Sequence, residues 1–304
     1  MKREIHYPED EATWLALREE DLTSTQVPCL YNVGFRTEYE LWNNKKGTLP
    51  DQFEATERTE IGKAMEQAIA KYAAVKYNWK IQKMNAYIRL PEYRLAASFD
   101  YRLLNEDTLI EVKNVDGFIF KENWVVEDGE LIEAPVGYEF QVQTQMGVAG
   151  KKKSKLVAMV GGNRLMVLER DFDPKIFEAI KIKSVEFWKS IESGQPPEPD
   201  LVRDSKTISL LYGSATKGKI LEVGTDPFYS DLIKNYIDWR KQKKLADDHL
   251  KAIKSQILMK VGDAAKIVGD GYSVSMGEIK KDSYTVAAQS YRDFRVFEKK
   301  VKKK

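Results

Sequence analysis

The sequence predicts an α/β fold, a mixed central sheet flanked by helices, with a C-terminal helical and small β appendage. Three observations predict it. Short runs with alternating apolar and polar residues gather between Ile81 and Phe172. Longer segments with helical spacing lie before, among and after them. The tract Gln195-Pro196-Pro197-Glu198-Pro199-Asp200 then reads as a linker, which suggests a core over residues 1–200 and an extension over residues 201–304.

Glu9–Glu20 is expected to be a helix, followed by a hydroxyl-rich turn at Thr23, Ser24 and Thr25 and a short helix carrying Pro28 in its first turn. Thr37 can cap a helix from Glu38 to Lys46 that buries Tyr39, Leu41 and Trp42. A longer helix is expected from about Gln52 to Tyr77, with Ile61, Met65, Ala68, Ile69 and Tyr72 at core spacing. Ile81–Leu90 reads as a strand leading into a hairpin, Leu95–Leu103 and Thr108–Val115, turned by Asn105, Glu106 and Asp107. Phe118–Glu133 is expected to be extended, with a turn at Asp128-Gly129. Pro135 opens a helix over Gly137–Val148 that puts Tyr138, Gln141 and Gln145 on one face. Lys155–Gly161 and Arg164–Phe172 form a strand pair, and Pro174 starts a helix reaching Ser193 with Ile176, Ile180, Val185 and Trp188 inward. Past the linker an irregular stretch runs to Thr225, and Asp226-Pro227 opens a long charged helix to about Val261. Small strands are expected at Lys266–Val268, Tyr272–Ile279 and Tyr291–Phe297.

Composition narrows the chemistry. Hydrophobic residues at 42% and charged residues at 32% describe a soluble globular protein, and no apolar run reaches the roughly 18 residues of a membrane span. The start, Met1 to Tyr7, lacks the apolar core of a signal peptide, so a cytoplasmic location is expected. One cysteine, Cys29, and two histidines, His6 and His249, leave too few soft ligands for a zinc or iron–sulfur centre. Metal chemistry would rest on carboxylates, which favours Mg²⁺, with Mn²⁺ as the alternative. A net charge of +2 does not mark a nucleic-acid binder, so phosphate contacts would need local clusters such as Lys151–Lys155 or the tail Lys299–Lys304.

The stretch Ala96–Val115 carries the strongest chemical signal. Alternation puts Leu109, Glu111 and Lys113 on one face of a strand. Asp100 and Glu111 could offer hard oxygens to a divalent cation and the Val112 carbonyl a third, with Lys113 beside the attacking water. Metal-assisted phosphodiester hydrolysis suits that set. On these residues alone, a hairpin with a solvated charged face stands at even odds with the site. Glu66, at the edge of its helix's apolar stripe, could add a ligand, and Arg18 with Thr25 and the free amides of the short helix could bind a phosphate.

Together these segments resemble the YqaJ-like viral recombinases, phage alkaline exonucleases of the lambda type within the PD-(D/E)XK nuclease superfamily. The resemblance runs through Trp14-Leu15-Ala16-Leu17-Arg18, Glu38-Tyr39-Glu40-Leu41-Trp42, Gly62-Lys63-Ala64-Met65-Glu66, Ser98-Phe99-Asp100, Glu111-Val112-Lys113 and Tyr138-Glu139-Phe140-Gln141-Val142-Gln143. It implies a PD-(D/E)XK core in which Asp100 and Glu111 bind metal, Glu66 assists and Lys113 is the catalytic lysine. Arg18, Thr25, Ser98 and Gln141 would hold the terminal 5′-phosphate of duplex DNA, with Tyr138 and Gln143 as further substrate contacts. The implied activity is Mg²⁺-dependent 5′-to-3′ exonuclease action on linear duplex DNA that leaves 3′ single-stranded overhangs for recombination. A trimeric ring, a single-strand annealing partner and a host cytoplasmic setting are implied likewise. An endonuclease or single-strand nuclease on the same core, or a non-catalytic DNA-binding protein, are the alternatives. Phe99 stands where the superfamily has proline, and Thr23-Ser24-Thr25-Gln26 lacks the acidic residue common in relatives.

Overall fold

A computed structural model describes residues 1–49, 56–281, 283, 285 and 292–296. The chain divides into two units, Met1–Leu211 and Tyr212–Lys304. The first contains β1 (Glu4–His6), α1 (Glu11–Glu20), β2 (Leu22–Thr23), α2 (Glu38–Lys46), α3 (Glu57–Tyr77), β3 (Ile81–Lys83), β4 (Tyr87–Leu90), β5 (Leu95–Ser98), β6 (Tyr101–Leu103) and β7 (Thr108–Val115). It continues with α4 (Gly117–Asn123), β8 (Val125–Glu127), β9 (Glu130–Glu133), α5 (Val136–Ala149), β10 (Lys153–Val160), β11 (Arg164–Asp171), α6 (Pro174–Ser193) and α7 (Ser205–Leu211). The second unit contains α8 (Pro227–Val261) and a hairpin of β12 (Lys266–Gly269) and β13 (Tyr272–Ser275).

Two sheets frame the first unit among the described residues, in the orders β1-β4-β5-β2 and β11-β10-β7-β6-β3. Both are mixed: β7 runs parallel to β10 and antiparallel to β6, while β2 runs parallel to β5 and antiparallel pairs complete the rest. Helix α3 covers one face of the second sheet, where Ile69, Ala70 and Ala73 pack on Ile110, Val112 and Val157. Helix α5 lies against the other face, and its Val142 and Met146 share a core with Leu109 of β7 and with Leu95 and Ala97 of β5. Residues Gln141 through Val148 of α5 are all buried, so this helix is enclosed on every side.

The structure revises several expected elements. Leu95–Leu103 is not one strand: the chain leaves the first sheet after Ser98 and enters the second at Tyr101, so Phe99 and Asp100 form a step between sheets. Ile81–Leu90 breaks in the same way into β3 and β4, one in each sheet. The start of the segment expected to be extended is instead helix α4, because Asp116 accepts the amides of Phe118 (2.8 Å) and Ile119 (3.2 Å) and so caps a turn that buries Phe120. Helix α7 lies in the stretch expected to be irregular, preceded by Asp204, whose buried carboxylate accepts from the Thr37 hydroxyl. In α3 the inward stripe is Ile69, Ala70 and Ala73, whereas Ile61, Ala68 and Tyr72 are exposed. Residues 52–55 of the expected helix, Tyr291 and Phe297 of the last expected strand, and the Lys299–Lys304 tail lie outside the described residues, and 292–296 form no strand.

Candidate active site

The step between the sheets creates the site. Opposite the last half of β7, strand β6 has not yet begun, and β7 would lack a partner there. Asp100 fills that place, its Oδ2 accepting the Val112 amide at 2.7 Å. The N–H and C=O of a strand residue point to the same side, so the Val112 carbonyl faces the same gap. Glu111, buried on the opposite face of β7 from Ile110 and Val112, turns toward α5. Its Oε1 accepts from Gln141 Nε2 (2.5 Å) and Lys113 Nζ (2.5 Å), and its Oε2 from Gln145 Nε2 (2.7 Å). The Lys113 ammonium also stands 5.2 Å from the Tyr138 ring centroid.

The charges in this group act on one another. Burial, then the neighbouring Glu111 charge, pushes the Asp100 carboxyl well above the usual carboxylate range, with Glu66 adding to the rise while Lys113 and the Val112 amide oppose it. Burial alone would lower Lys113, but Glu111 and Asp100 outweigh it and the ammonium is held above its ordinary value. A carboxyl kept from ionising by a neighbouring carboxylate is relieved by a cation. The donors available, two carboxylates and a backbone carbonyl, are the hard oxygens that Mg²⁺ or Mn²⁺ prefers. The Glu66 carboxylate pairs with Lys83 at 3.5 Å. Among the described residues no three acidic, histidine or cysteine side chains converge as a metal cluster, so a fitting ion would rest on Asp100, Glu111 and the Val112 carbonyl with water.

A second group adjoins the first. The Arg18 guanidinium lies 4.3 Å from the Trp14 ring centroid and 3.5 Å from Thr25 Oγ1, which in turn is 3.1 Å from Thr23 Oγ1. Trp14 Nε1 donates to Ser98 Oγ at 2.9 Å, and the Ser98 carbonyl accepts from Gln145 at 3.1 Å. Ser98 therefore joins the arginine group to the amides that hold Glu111. Burial lowers Arg18 from its ordinary value, and Lys45 falls to about 7, through burial first and the Arg18 charge second. Lys45 Nζ donates to the carbonyls of Arg18 (2.6 Å) and Asp21 (2.7 Å), closing the C-terminal end of α1.

Other expected contributors lie elsewhere. The short helix after Thr25 is a five-residue 3₁₀ turn, Val27–Tyr31, with Val27, Pro28, Cys29 and Leu30 buried, and Gln26 rather than a hydroxyl stands at its cap. Pro28 has no amide hydrogen and the Gln26 and Cys29 amides donate within the turn, to the Thr23 and Gln26 carbonyls, so Arg18 and Thr25 are the anion-binding groups that remain. The Gln141 amide is committed to Glu111. Gln143 points away, donating to the Asp171 carbonyl and accepting the Asp173 amide, both at 2.9 Å, and so ties α5 to the entry of α6. In the lysine run, Lys151 pairs with Asp107, Lys153 with Asp171 and Lys155 with Glu169, which reduces its free positive charge. Gln145, Trp14 and Lys45 were not among the expected site residues. Gln145 and Trp14 each lie four residues along a helix from an expected site residue, and that spacing is the signal that could have found them.

Fold and site define a mixed α/β protein with an acidic-and-lysine centre where one sheet hands over to another. Residues 13–152 match the model of the YqaJ-like viral recombinase domain. Over 257 residues the chain is 25% identical to the uncharacterized protein YqaJ of Bacillus subtilis (strain 168), covering 83% of this chain and 78% of that protein. The crystal structure of LHK-Exo in complex with dAMP is similar at a TM-score of 0.50 and 17% identity, over 66% of this chain and 99% of that one. A second crystal structure of LHK-Exo, an alkaline exonuclease from Laribacter hongkongensis, gives a TM-score of 0.49 at 17% identity, over 65% and 99% of the two chains. The shared feature is the fold. Among the described residues no helix is long and apolar enough to cross a membrane.

Proposed function

We propose that this chain is a divalent-metal-dependent nuclease that degrades linear duplex DNA from the 5′ end and leaves 3′ single-stranded overhangs. The observation that carries this reading is the convergence of Asp100, Glu111 and Lys113 at the gap beside Val112, within the segment that matches the YqaJ-like viral recombinase domain. Mg²⁺, with Mn²⁺ as a substitute, would be held by Asp100, Glu111 and the Val112 carbonyl. Such a cation supplies Lewis-acid polarisation of a phosphoryl oxygen and a more acidic water.

The protein's own groups do the rest. Gln141 and Gln145 fix the Glu111 carboxylate without adding charge beside it. Lys113 remains an ammonium and stabilises negative charge that develops on the scissile phosphate. Arg18 and Thr25 offer a cation and a hydroxyl to a terminal phosphate. A trimeric assembly, an annealing partner and a cytoplasmic setting belong to the same reading.

The test is release of nucleotides from linear duplexes labelled at either end, with and without EDTA. Lys113→Ala is expected to slow release by about 10²- to 10³-fold. Label should leave first from the 5′ end, a sealed circle should survive, and Arg18→Ala should erase any preference for a 5′-phosphate over a 5′-hydroxyl. Equal rates for wild type and Lys113→Ala would end the enzymatic reading.

A further inference from the structure

A second feature with nucleic-acid chemistry lies outside this centre. Where the end of α3 meets the outer strand β11 and the β8–β9 turn, a cleft of about 690 Å³ opens to solvent. It shares no residue with the site around Asp100, Glu111 and Lys113. Three aromatic side chains line it: Tyr72, Tyr77 and Trp79. Tyr77 and Trp79 stack with centroids 4.8 Å apart, while Tyr72, on the solvent side of α3, is 54% exposed and makes no use of its ring in the core.

Cations accompany the rings. Lys76 stands 5.2 Å from the Tyr77 centroid and Lys155 stands 5.3 Å from that of Trp79, and Arg164 adds a third positive group on the exposed end of β11. Two carboxylates share the lining, and one of them, Glu169, is already paired with Lys155. One open ring, Tyr72, beside a stacked pair and a modest excess of positive charge suits a flat ring that carries a phosphate. Duplex DNA fits this chemistry poorly, since its bases are stacked inside the helix and it presents phosphates alone. An unpaired strand presents both.

The geometry points to this cleft as a binding site for single-stranded nucleic acid, with a base stacked on Tyr72 beside the Tyr77–Trp79 pair and the backbone near Lys76 and Arg164. Choosing a nucleic acid over another aromatic anion rests on the nuclease reading, but occupancy of the cleft can be measured without catalysis. A protein that shortens one strand of a duplex leaves the other unpaired, and a site away from the reacting centre would hold that strand clear of it.

The experiment uses the full chain in EDTA with a labelled oligothymidylate followed by fluorescence anisotropy, and iodouracil photocrosslinking to map the contact. Tyr72→Ala and Arg164→Glu alter exposed side chains. Each is expected to weaken binding, Tyr72→Ala by roughly fivefold or more, the low end for loss of one base-stacking ring. Arg164→Glu should also flatten the dependence on salt. Crosslinks are expected in the peptides carrying Tyr72 to Trp79, and Tyr72→Ala should keep wild-type hydrolysis of a short duplex. Wild-type affinity in both variants, or crosslinks confined to other peptides, would overturn the assignment. So would a change of sedimentation in Tyr72→Ala at unchanged affinity, which would make the cleft a contact between copies. A wild-type protein that binds the strand here yet cuts no DNA would remove the nuclease reading and leave the cleft standing.

Discussion

Glu111 is held by two neutral amides and one ammonium, and each donor has a different consequence when removed. Gln145 also bonds the Ser98 carbonyl, so Gln145→Ala frees one carboxylate oxygen and loosens the step between the sheets. Supporting contacts of this kind are worth about 10- to 100-fold in metal affinity, and calorimetric titration of Gln145→Ala with Mg²⁺ should show weakening in that range. Unchanged affinity would mean that Gln141 and Lys113 suffice to orient Glu111. A different titration is expected at Lys45, lowered by burial and by Arg18 from 10.5 to about 7. Between about 7 and 10.5 the unfolded chain binds this proton and the folded chain releases it, so stability rises with pH across that window. Below about 7 both states are protonated and the slope disappears. Thermal melts of Lys45→Met over that range should show a flatter rise than wild type, and parallel curves would show that Lys45 keeps an ordinary affinity for its proton.

At the scale of elements, α5 decides how the site is assembled. A helix buried on every side must satisfy each of its polar groups internally, which explains why its glutamines bond Glu111, the Ser98 carbonyl and the backbone around Asp171 and Asp173. At Gly147 helix α5 comes close to α6: a Cβ built there would stand 2.2 Å from the Phe177 ring. Gly147→Ala should therefore cost about 1–3 kcal/mol in denaturant unfolding by forcing the helices apart. Helix α2 depends on Thr37, whose hydroxyl accepts the Glu40 amide at 3.0 Å and donates to buried Asp204. Thr37→Ala loses the cap and the hydroxyl donor to Asp204 Oδ1, while Oδ2 keeps the Asp200 amide, with an expected loss of about 1–2 kcal/mol in the same measurement.

For the whole molecule, the division at Leu211 has an energetic basis in the first unit. Its buried apolar clusters draw only on residues between Leu22 and Ile191, so that core is complete without the remainder of the chain. A protein ending at Leu211 is expected to fold cooperatively, with a melting temperature within a few degrees of the corresponding transition in the full chain. Loss of cooperative melting would show that the second unit completes the fold. The long helix α8 keeps Phe228, Leu232, Trp239 and Leu250 exposed, and the β12–β13 hairpin is small, so the described residues of the second unit form little core of their own.

The sequence by itself determined the α/β class, the helices with clear caps or proline starts, and the face shared by Glu111 and Lys113. These follow from local rules, since alternation, helical spacing and capping are carried by residues near one another in the chain. Only the tertiary structure decided that Leu95–Leu103 breaks at Phe99, that Asp100 takes the place of a missing strand beside Val112, and that Gln143 serves α6 while Gln145 serves Glu111. Each depends on which distant segment lies across the gap. A run of apolar residues reads the same whether it stays in one sheet or passes between two, and an enclosed helix offers no polar face to show which way its amides turn.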